Sequence, residues 1–160
     1  MITRKLVLTA GVLLVAACGH GGTGAPQPAP IGSAEGAVRE FLAAVSDSNI
    51  TRMSTVWGNT NGPASVTGQP PQWEERLKIV QIYLRGGTWT VLENKAEPGS
   101  TIRRDIAMQF TRGSCVKTVP FVAVKSTHGG WLVESVDVTA TGNPVTPCPA
   151  VGSGAPAANP

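Results

Sequence analysis

The sequence predicts an α+β domain in which helices are followed by an antiparallel sheet. In the first half of the chain, apolar residues recur at the three- and four-residue spacing of a helix. After Gly87 they alternate with polar residues, as they do in a strand with one wet face. Turn sequences rich in Gly and Pro separate these alternating segments. We therefore expect N-terminal helices packed on a curved four-stranded antiparallel meander.

The first half predicts three helices. One covers Ala34 to Ser46, with Ser33 as its N-cap, since its apolar residues form a single stripe: Val38, Phe41, Leu42 and Val45. The polar stretch Asp47-Ser48-Asn49 is expected to end this helix and to cap a second, short helix that carries Ile50, Met53, Val56 and Trp57. The polar stretch Gly58 to Gln72 is interpreted as a loop and a candidate lid.

The third helix, Trp73 to Arg85, follows Pro70-Pro71 and ends at Gly86. Its apolar stripe is predicted to consist of Trp73, Leu77, Val80 and Leu84, widened by Ile79 and Tyr83. Glu74 and Glu75 in the first turn favour the helix dipole.

Four strands complete the expected domain. They are Thr88 to Ala96, Ile102 to Thr111, Cys115 to Lys125 and Trp131 to Ala140. The turns between them contain Pro98-Gly99, Arg112-Gly113-Ser114 and His128-Gly129-Gly130. In the second strand Ile102, Ile106, Met108 and Phe110 are predicted to face the core.

The N-terminus has the order of an export signal. Arg4 and Lys5 precede the apolar run Leu6 to Ala17, which is too short to span a bilayer, and Cys18 follows. The residues Leu14-Val15-Ala16-Ala17-Cys18 resemble the lipobox of bacterial lipoproteins. The resemblance implies cleavage before Cys18, lipidation of its sulfur and acylation of its new amine by a chain such as palmitate. The alternative is an ordinary secretory signal whose cysteine is incidental.

This interpretation divides the 160 residues into four parts. They are a signal peptide (1–17), the lipidated cysteine with a Gly- and Pro-rich linker (18–32), the domain (33–141) and a Pro-, Gly- and Ala-rich tail (142–160). The expected location is the cell envelope, outside the cytoplasm, with the membrane as partner through the anchor at Cys18. Gly19 is compatible with the outer membrane if the organism has two membranes.

The charge of the chain does not indicate a nucleic-acid surface. There are 13 Lys and Arg against 10 Asp and Glu, and Arg4 and Lys5 are lost with the signal. The remaining charges nearly balance, and no basic run or stripe stands out, so no nucleic-acid partner is expected.

Two cysteines remain beyond the lipobox, Cys115 and Cys148. In an exported protein a pair of thiols is typical of one disulfide, whereas a metal site requires more ligands at closer spacing. A bond between them would close a loop of 34 residues and stabilise the fold by roughly 3 to 4 kcal/mol in the chain-entropy model. No metal and no cofactor are expected.

The order of helices and meander, together with the stretch Ala37 to Val45 and its polar break Ser46-Asp47-Ser48-Asn49, resembles the nuclear transport factor 2-like superfamily. That superfamily includes ketosteroid isomerase and polyketide cyclase relatives, and the resemblance implies a cone-like fold with a pocket at its open end. The expected lining of the pocket is Trp57, Trp73, Tyr83, Trp89, Met108, Phe110, Phe121 and Trp131. A cystatin-like helix on a sheet is the alternative fold.

No catalytic residue is assigned from the sequence. An isomerase or cyclase would need a carboxylate base in the pocket and a proton donor, for which Asp105 or Asp137 with Tyr83 are the candidates. Three functions stay open: a non-enzymatic domain that binds a small apolar ligand or an envelope protein, a small isomerase- or cyclase-type enzyme, and a structural assembly module. Buried carboxylates would favour the enzyme, and a filled cone with an exposed apolar strand face would favour the assembly module.

Overall fold

The computed structural model of the chain describes residues 29–146. Helices come first and an antiparallel sheet follows, which confirms the predicted α+β class. The helices are α1 (Ala34–Ser46), α2 (Ile50–Val56), α3 (Ala64–Thr67) and α4 (Trp73–Leu84). The strands are β1 (Gly58–Asn59), β2 (Gly62–Pro63), β3 (Thr88–Ala96), β4 (Arg103–Arg112), β5 (Cys115–Lys125) and β6 (Trp131–Val136), and a short 3-10 helix, η1 (Val138–Thr141), follows them.

Several predicted segments lie outside this range. They are the signal peptide, Cys18, the first part of the linker, and the tail from residue 147 onward, which includes Cys148. Between residues 29 and 146, no helix has both the length and the apolar character needed to cross a bilayer.

Helices α1 and α2 each begin directly after a residue whose side chain caps the first turn. The Ser33 hydroxyl accepts a hydrogen bond from the Gly36 N–H at 3.0 Å, and the Asn49 side-chain oxygen accepts one from the Arg52 N–H at 2.9 Å. The apolar stripe of α1 faces the core, where Phe41 is fully buried. Both helix predictions are confirmed, except that Trp57 does not continue α2.

Trp57 instead adopts an extended conformation and forms a parallel bridge with Val133 of β6. The prediction of a loop from Gly58 to Gln72 is also wrong. This segment contains the β1–β2 hairpin and the single turn of α3, and Gly58 allows the hairpin to close because a Cβ there would lie 2.3 Å from the Gly62 carbonyl oxygen.

Helix α4 runs from Trp73 to Leu84, close to its predicted bounds. Leu77, Val80 and Leu84 are buried, whereas Ile79 is 53% exposed, so the apolar stripe is narrower than expected. The C-terminal turn is capped by a residue that is distant in the sequence: the Arg112 guanidinium donates hydrogen bonds to the carbonyl oxygens of Tyr83 and Arg85. Helix α4 is thereby tied to β4.

The four long strands pair in sequence order, β3-β4-β5-β6, and all pairs are antiparallel. Within β4, alternate residues Ile106, Met108 and Phe110 are buried, as the period of two predicts. Ile102 does not belong to this set, because β4 begins at Arg103 and the Ile102 side chain is 43% exposed.

The last strand is shorter than predicted. β6 ends at Val136, and η1 replaces the expected strand as far as Ala140. The Asp137 carboxylate causes the change, since its Oδ1 accepts hydrogen bonds from the Thr139 N–H at 3.0 Å and the Ala140 N–H at 3.3 Å. Such local bonds offer the backbone an alternative to strand pairing.

Candidate functional site

A cleft of about 940 Å³ lies at one end of the sheet, beside the turn between β5 and β6. Five segments meet there: residues 29–31, α1, α2, the β1–β2–α3 region and the β5–β6 turn. Its apolar wall is formed by Pro30, Ile31, Val56, Val66, Trp131 and Leu132. The volume is within the range of about 300 to 1,000 Å³ that is typical of small-molecule sites.

Residues 29–31, which we call the N-terminal strap, form one wall by pairing with the edge of the sheet. The Trp131 N–H donates a hydrogen bond to the Ile31 carbonyl oxygen at 2.9 Å. Gly130 has a φ of +79° and no side chain, and a Cβ there would lie only 3.0 Å from the Pro30 Cβ. The strap can therefore approach the start of β6 only because residue 130 is glycine.

The β5–β6 turn lies beside the strap, forms a second wall of the cleft, and is held by hydrogen bonds to Thr60 and within the turn itself. The Thr127 N–H and hydroxyl both donate hydrogen bonds to the Thr60 carbonyl oxygen, at 2.8 and 3.0 Å. Within the turn, the Ser126 hydroxyl accepts a hydrogen bond from the His128 N–H at 3.1 Å. The turn thus carries His128, an exposed side chain, to the rim of the cleft.

Charge is concentrated at one point of the rim. The Arg52 guanidinium bonds Glu40 through Nε at 2.7 Å and Asp47 through Nη1 at 2.5 Å. The hydrogen bond that Arg52 donates to Glu40 is the main cause that raises the pKa of Arg52 above its ordinary value. Since one guanidinium serves two carboxylates, the group has a net negative charge and its cation is already paired.

The predicted pocket-lining residues occupy other positions, with one exception. Only Trp131 lines the cleft. Trp57, Met108, Phe110 and Phe121 are buried in the core, and Trp73 and Trp89 pack against that core. Tyr83 is half-buried on α4.

These rings fill the space between the helices and the sheet because they pack on one another. The centroid of Trp89 lies 4.4 Å from that of Phe110 and 5.9 Å from that of Phe121. The rings of Phe41 and Trp57 are 5.5 Å apart. The interior is therefore a packed core at the positions where the resemblance implied a cavity.

Neither candidate acid is placed to act as a buried base. Asp105 is exposed on β4, where it lies opposite Lys95 in the register with β3. Asp137 is exposed and caps η1. Hydrogen bonds that Thr139 donates, chiefly through its hydroxyl, lower the pKa of the Asp137 carboxyl. The condition set for an isomerase- or cyclase-type pocket is not met by these two residues.

Cys115 is disulfide-bonded and half-buried. Its predicted partner, Cys148, lies outside the described residues, so the pairing stays a prediction. In the portion of the chain from residue 29 to 146, no three His, Cys, Asp or Glu side chains come close enough together to hold a metal ion.

Comparison with known proteins leaves the family open. No protein-family model and no curated protein sequence matches this chain.

Sequence reasoning missed most of the cleft. The strap falls in the predicted linker, and Val66 falls in the segment predicted to be a loop. One signal was present: Ile31 is the only large aliphatic residue between Cys18 and Ser33. A lone aliphatic residue at the end of a Gly- and Pro-rich segment indicates where the chain first contacts the domain.

Proposed function

We propose that this protein is a lipid-anchored lipoprotein of the cell envelope whose domain is a non-enzymatic module for binding a small apolar ligand. The ligand occupies the cleft beside the β5–β6 turn, and the membrane holds the protein through Cys18. The fold that best fits the order of helices and meander is the cone of the nuclear transport factor 2-like superfamily.

The observation that carries the proposal is the composition of the cleft. Most of its surface is apolar, contributed by residues such as Ile31, Val66 and Trp131, and the polar residues of its lining include Asn61 and Ser126. Sites of this kind bind small molecules by burying apolar surface, while a few polar groups fix the orientation. The Arg52 guanidinium, which lies in the lining of the cleft, forms ion pairs with the carboxylates of Glu40 and Asp47.

The anchor is supported by the N-terminal sequence. Two cations, a short apolar run and small residues precede Cys18, which is the order of a lipoprotein signal. Two or more buried acyl chains give stable attachment, whereas a single chain gives only marginal binding. The proposed linkage therefore requires that Cys18 carries more than one chain.

The assembly-module alternative is less well supported. The interior of the domain is filled, as that alternative requires, but the middle of the outer sheet face is polar. Thr90, Gln109 and Thr118 lie side by side across β3, β4 and β5 there. An apolar strand face for another protein to cover would need larger aliphatic residues at these positions.

The anchor is tested by expressing the full chain in a bacterial host and separating membranes from soluble protein. We expect the natural chain in the membrane fraction, with the mass of a lipidated Cys18 at its N-terminus. Cys18→Ser should move the protein out of the membrane fraction. Cys148→Ser is the comparison, since it makes the same cysteine-to-serine change at another position; it should leave the protein on the membrane although it removes the predicted disulfide. An intact Met1 or an unmodified Cys18 sulfur in the natural chain contradicts the anchor.

The ligand is tested by extracting the purified membrane protein with organic solvent and comparing the extract with that of Val66→Asp. We expect a small apolar compound from the natural chain and much less from the variant, because the aspartate places a charge in the cleft wall. Photo-crosslinking at residue 66 that captures a second protein, with no extracted compound, would instead indicate a protein partner.

A further inference from the structure

We propose that the ligand of the cleft is a single-chain amphiphile without net negative charge on its head group, taken from the membrane to which Cys18 ties the domain. The inference rests on the proposed function and deepens it by naming the class of ligand. Three features carry it: the length of chain between Cys18 and the cleft, the apolar wall, and the charge at the rim.

The first feature is distance. The strap begins at Ala29, eleven positions after Cys18, and the strap is itself a wall of the cleft. Eleven residues cannot span more than about 40 Å even when fully extended, and a coil of that length has an end-to-end distance of roughly 20 Å. An anchored Cys18 therefore keeps the cleft within a short distance of the bilayer surface, where amphiphiles are the most concentrated apolar ligands.

The second feature is the competition between the apolar wall of the cleft and the bilayer for the acyl chain of a ligand. A lipid with two chains is held stably by the membrane, whereas a single chain of myristoyl length partitions with a constant of only about 10⁴ M⁻¹. The wall formed by Ile31, Val66, Trp131 and Leu132 can compete for such a weakly held chain. The cleft is therefore suited to fatty acyl compounds with one chain.

The third feature selects among these compounds by charge. Glu40 and Arg52 line the cleft, and Asp47 bonds Arg52 from outside the lining, so the guanidinium is already bonded to two carboxylates. A fatty-acid carboxylate at this point of the rim would face the Glu40 carboxylate beside a cation that is already paired. An uncharged head group, such as the glycerol of a monoacylglycerol, avoids the repulsion and can use the polar groups of the rim.

The experiment places the full natural chain in phospholipid vesicles and adds photoactivatable lauroylglycerol or photoactivatable laurate, which share the same chain. Crosslinked residues are identified by mass spectrometry. We expect lauroylglycerol to label the cleft wall around Val66, Trp131 and Leu132, and laurate to label it roughly fivefold less, the effect of about one unscreened charge at contact distance in water.

Three variants test the site, and all of them change exposed or half-exposed side chains. Val66→Asp should abolish labelling of the cleft, whereas Leu92→Asp, the matched control on the β3 edge, should leave it unchanged; the two side chains are 68% and 53% exposed. Glu40→Gln removes one rim charge and should bring labelling by laurate close to that by lauroylglycerol.

Equal labelling by both probes in the natural chain would overturn the charge preference. Absence of label in the cleft, in a preparation whose Cys18 is lipidated and which yields a different apolar compound on extraction, would overturn the amphiphile and leave the proposed function standing. An unlipidated Cys18 with no extractable compound would overturn the proposed function itself.

Discussion

Arg112 is the residue that joins helix α4 to the sheet. Its guanidinium bonds the carbonyl oxygens of Tyr83 and Arg85 at the end of the helix and lies 4.6 Å from the centroid of the Phe110 ring. Burial is the main cause that lowers the pKa of Arg112, and the nearby charge of Arg85 adds to it. The side chain remains charged because the helix carbonyls and the ring compensate for lost water.

Arg112→Met should therefore destabilise the domain by about 1 to 3 kcal/mol, since it leaves the last carbonyls of α4 without their donor. Urea unfolding followed by circular dichroism measures the change. The control is Arg39→Met, which removes an exposed pair with Glu35 and should change the unfolding free energy by less than about 0.5 kcal/mol. Equal losses in the two variants would contradict the role assigned to Arg112.

Asp137 gives a prediction of pH dependence. Hydrogen bonds hold its pKa below the unfolded value, so its contribution to stability is present above the unfolded pKa and is lost as the pH falls through the folded pKa. Asp137→Ala should lower the unfolding midpoint at neutral pH and weaken the dependence on acid pH. Asp137→Asn keeps a capping oxygen but no titration, so it should retain more stability at neutral pH while also losing the acid-dependent part. An unchanged acid profile in both variants would contradict the assignment.

At the scale of single residues, sequence reasoning succeeds where the partner is local. Ser33 is predicted as a cap, and Asn49 belongs to the stretch predicted to cap α2; each side chain accepts a hydrogen bond from a backbone N–H only three residues away. Asp137 was missed although its bonds are equally local, since it follows the alternating residues of β6 and the strand pattern masked the cap.

At the scale of elements, the connection from α4 to β3 depends on a close approach at Gly87. A Cβ at this position would lie 1.9 Å from the Phe110 ring, which is fully buried. Gly87→Ala should cost about 1 to 3 kcal/mol, the usual effect of forcing extra volume into a packed core. Thermal and urea unfolding measure it. Gly32→Ala is the control, because nothing lies within 4 Å of a Cβ there; a comparable loss in that variant would show that the ring contact is not the cause.

The period of apolar residues predicted the long elements well. α1, α4 and β3 to β5 lie within one or two residues of their expected bounds, because each buries a regular stripe against the core. The hairpin β1–β2 was not predicted. It is held by the Thr60 carbonyl, whose donor Thr127 is 67 residues away, and no local pattern in Gly58 to Gln72 could reveal that contact.

At the scale of the whole molecule, the disulfide prediction can be tested with the existing thiols. Cys115→Ser and Cys148→Ser should each lower the unfolding free energy by roughly 3 to 4 kcal/mol. The double variant should lose no more than either single one, since both remove the same cross-link. Without reduction, neither Cys115 nor Cys148 of the natural chain should react with an alkylating agent. Additive losses, or a free thiol at residue 148, would contradict the pairing.

The candidate site was the least predictable part of the molecule. The residues expected around a cavity are large and apolar, and those properties equally favour burial in a core, which is where Met108, Phe110 and Phe121 lie. The cleft instead arises where the ends of several elements meet. Its walls come from segments as far apart as residues 29–31 and the β5–β6 turn, so only the fold could bring them together.

The strap also determines how the domain responds to mechanical force. Tension applied through Ala29 reaches the fold first at the hydrogen bond between the Ile31 carbonyl and the Trp131 N–H. The strap is held by this bond and by the Ile31 side chain packed against the core, whereas β4 and β5 are paired along their whole length. A pull on the N-terminus would therefore load a wall of the cleft before it loads the sheet.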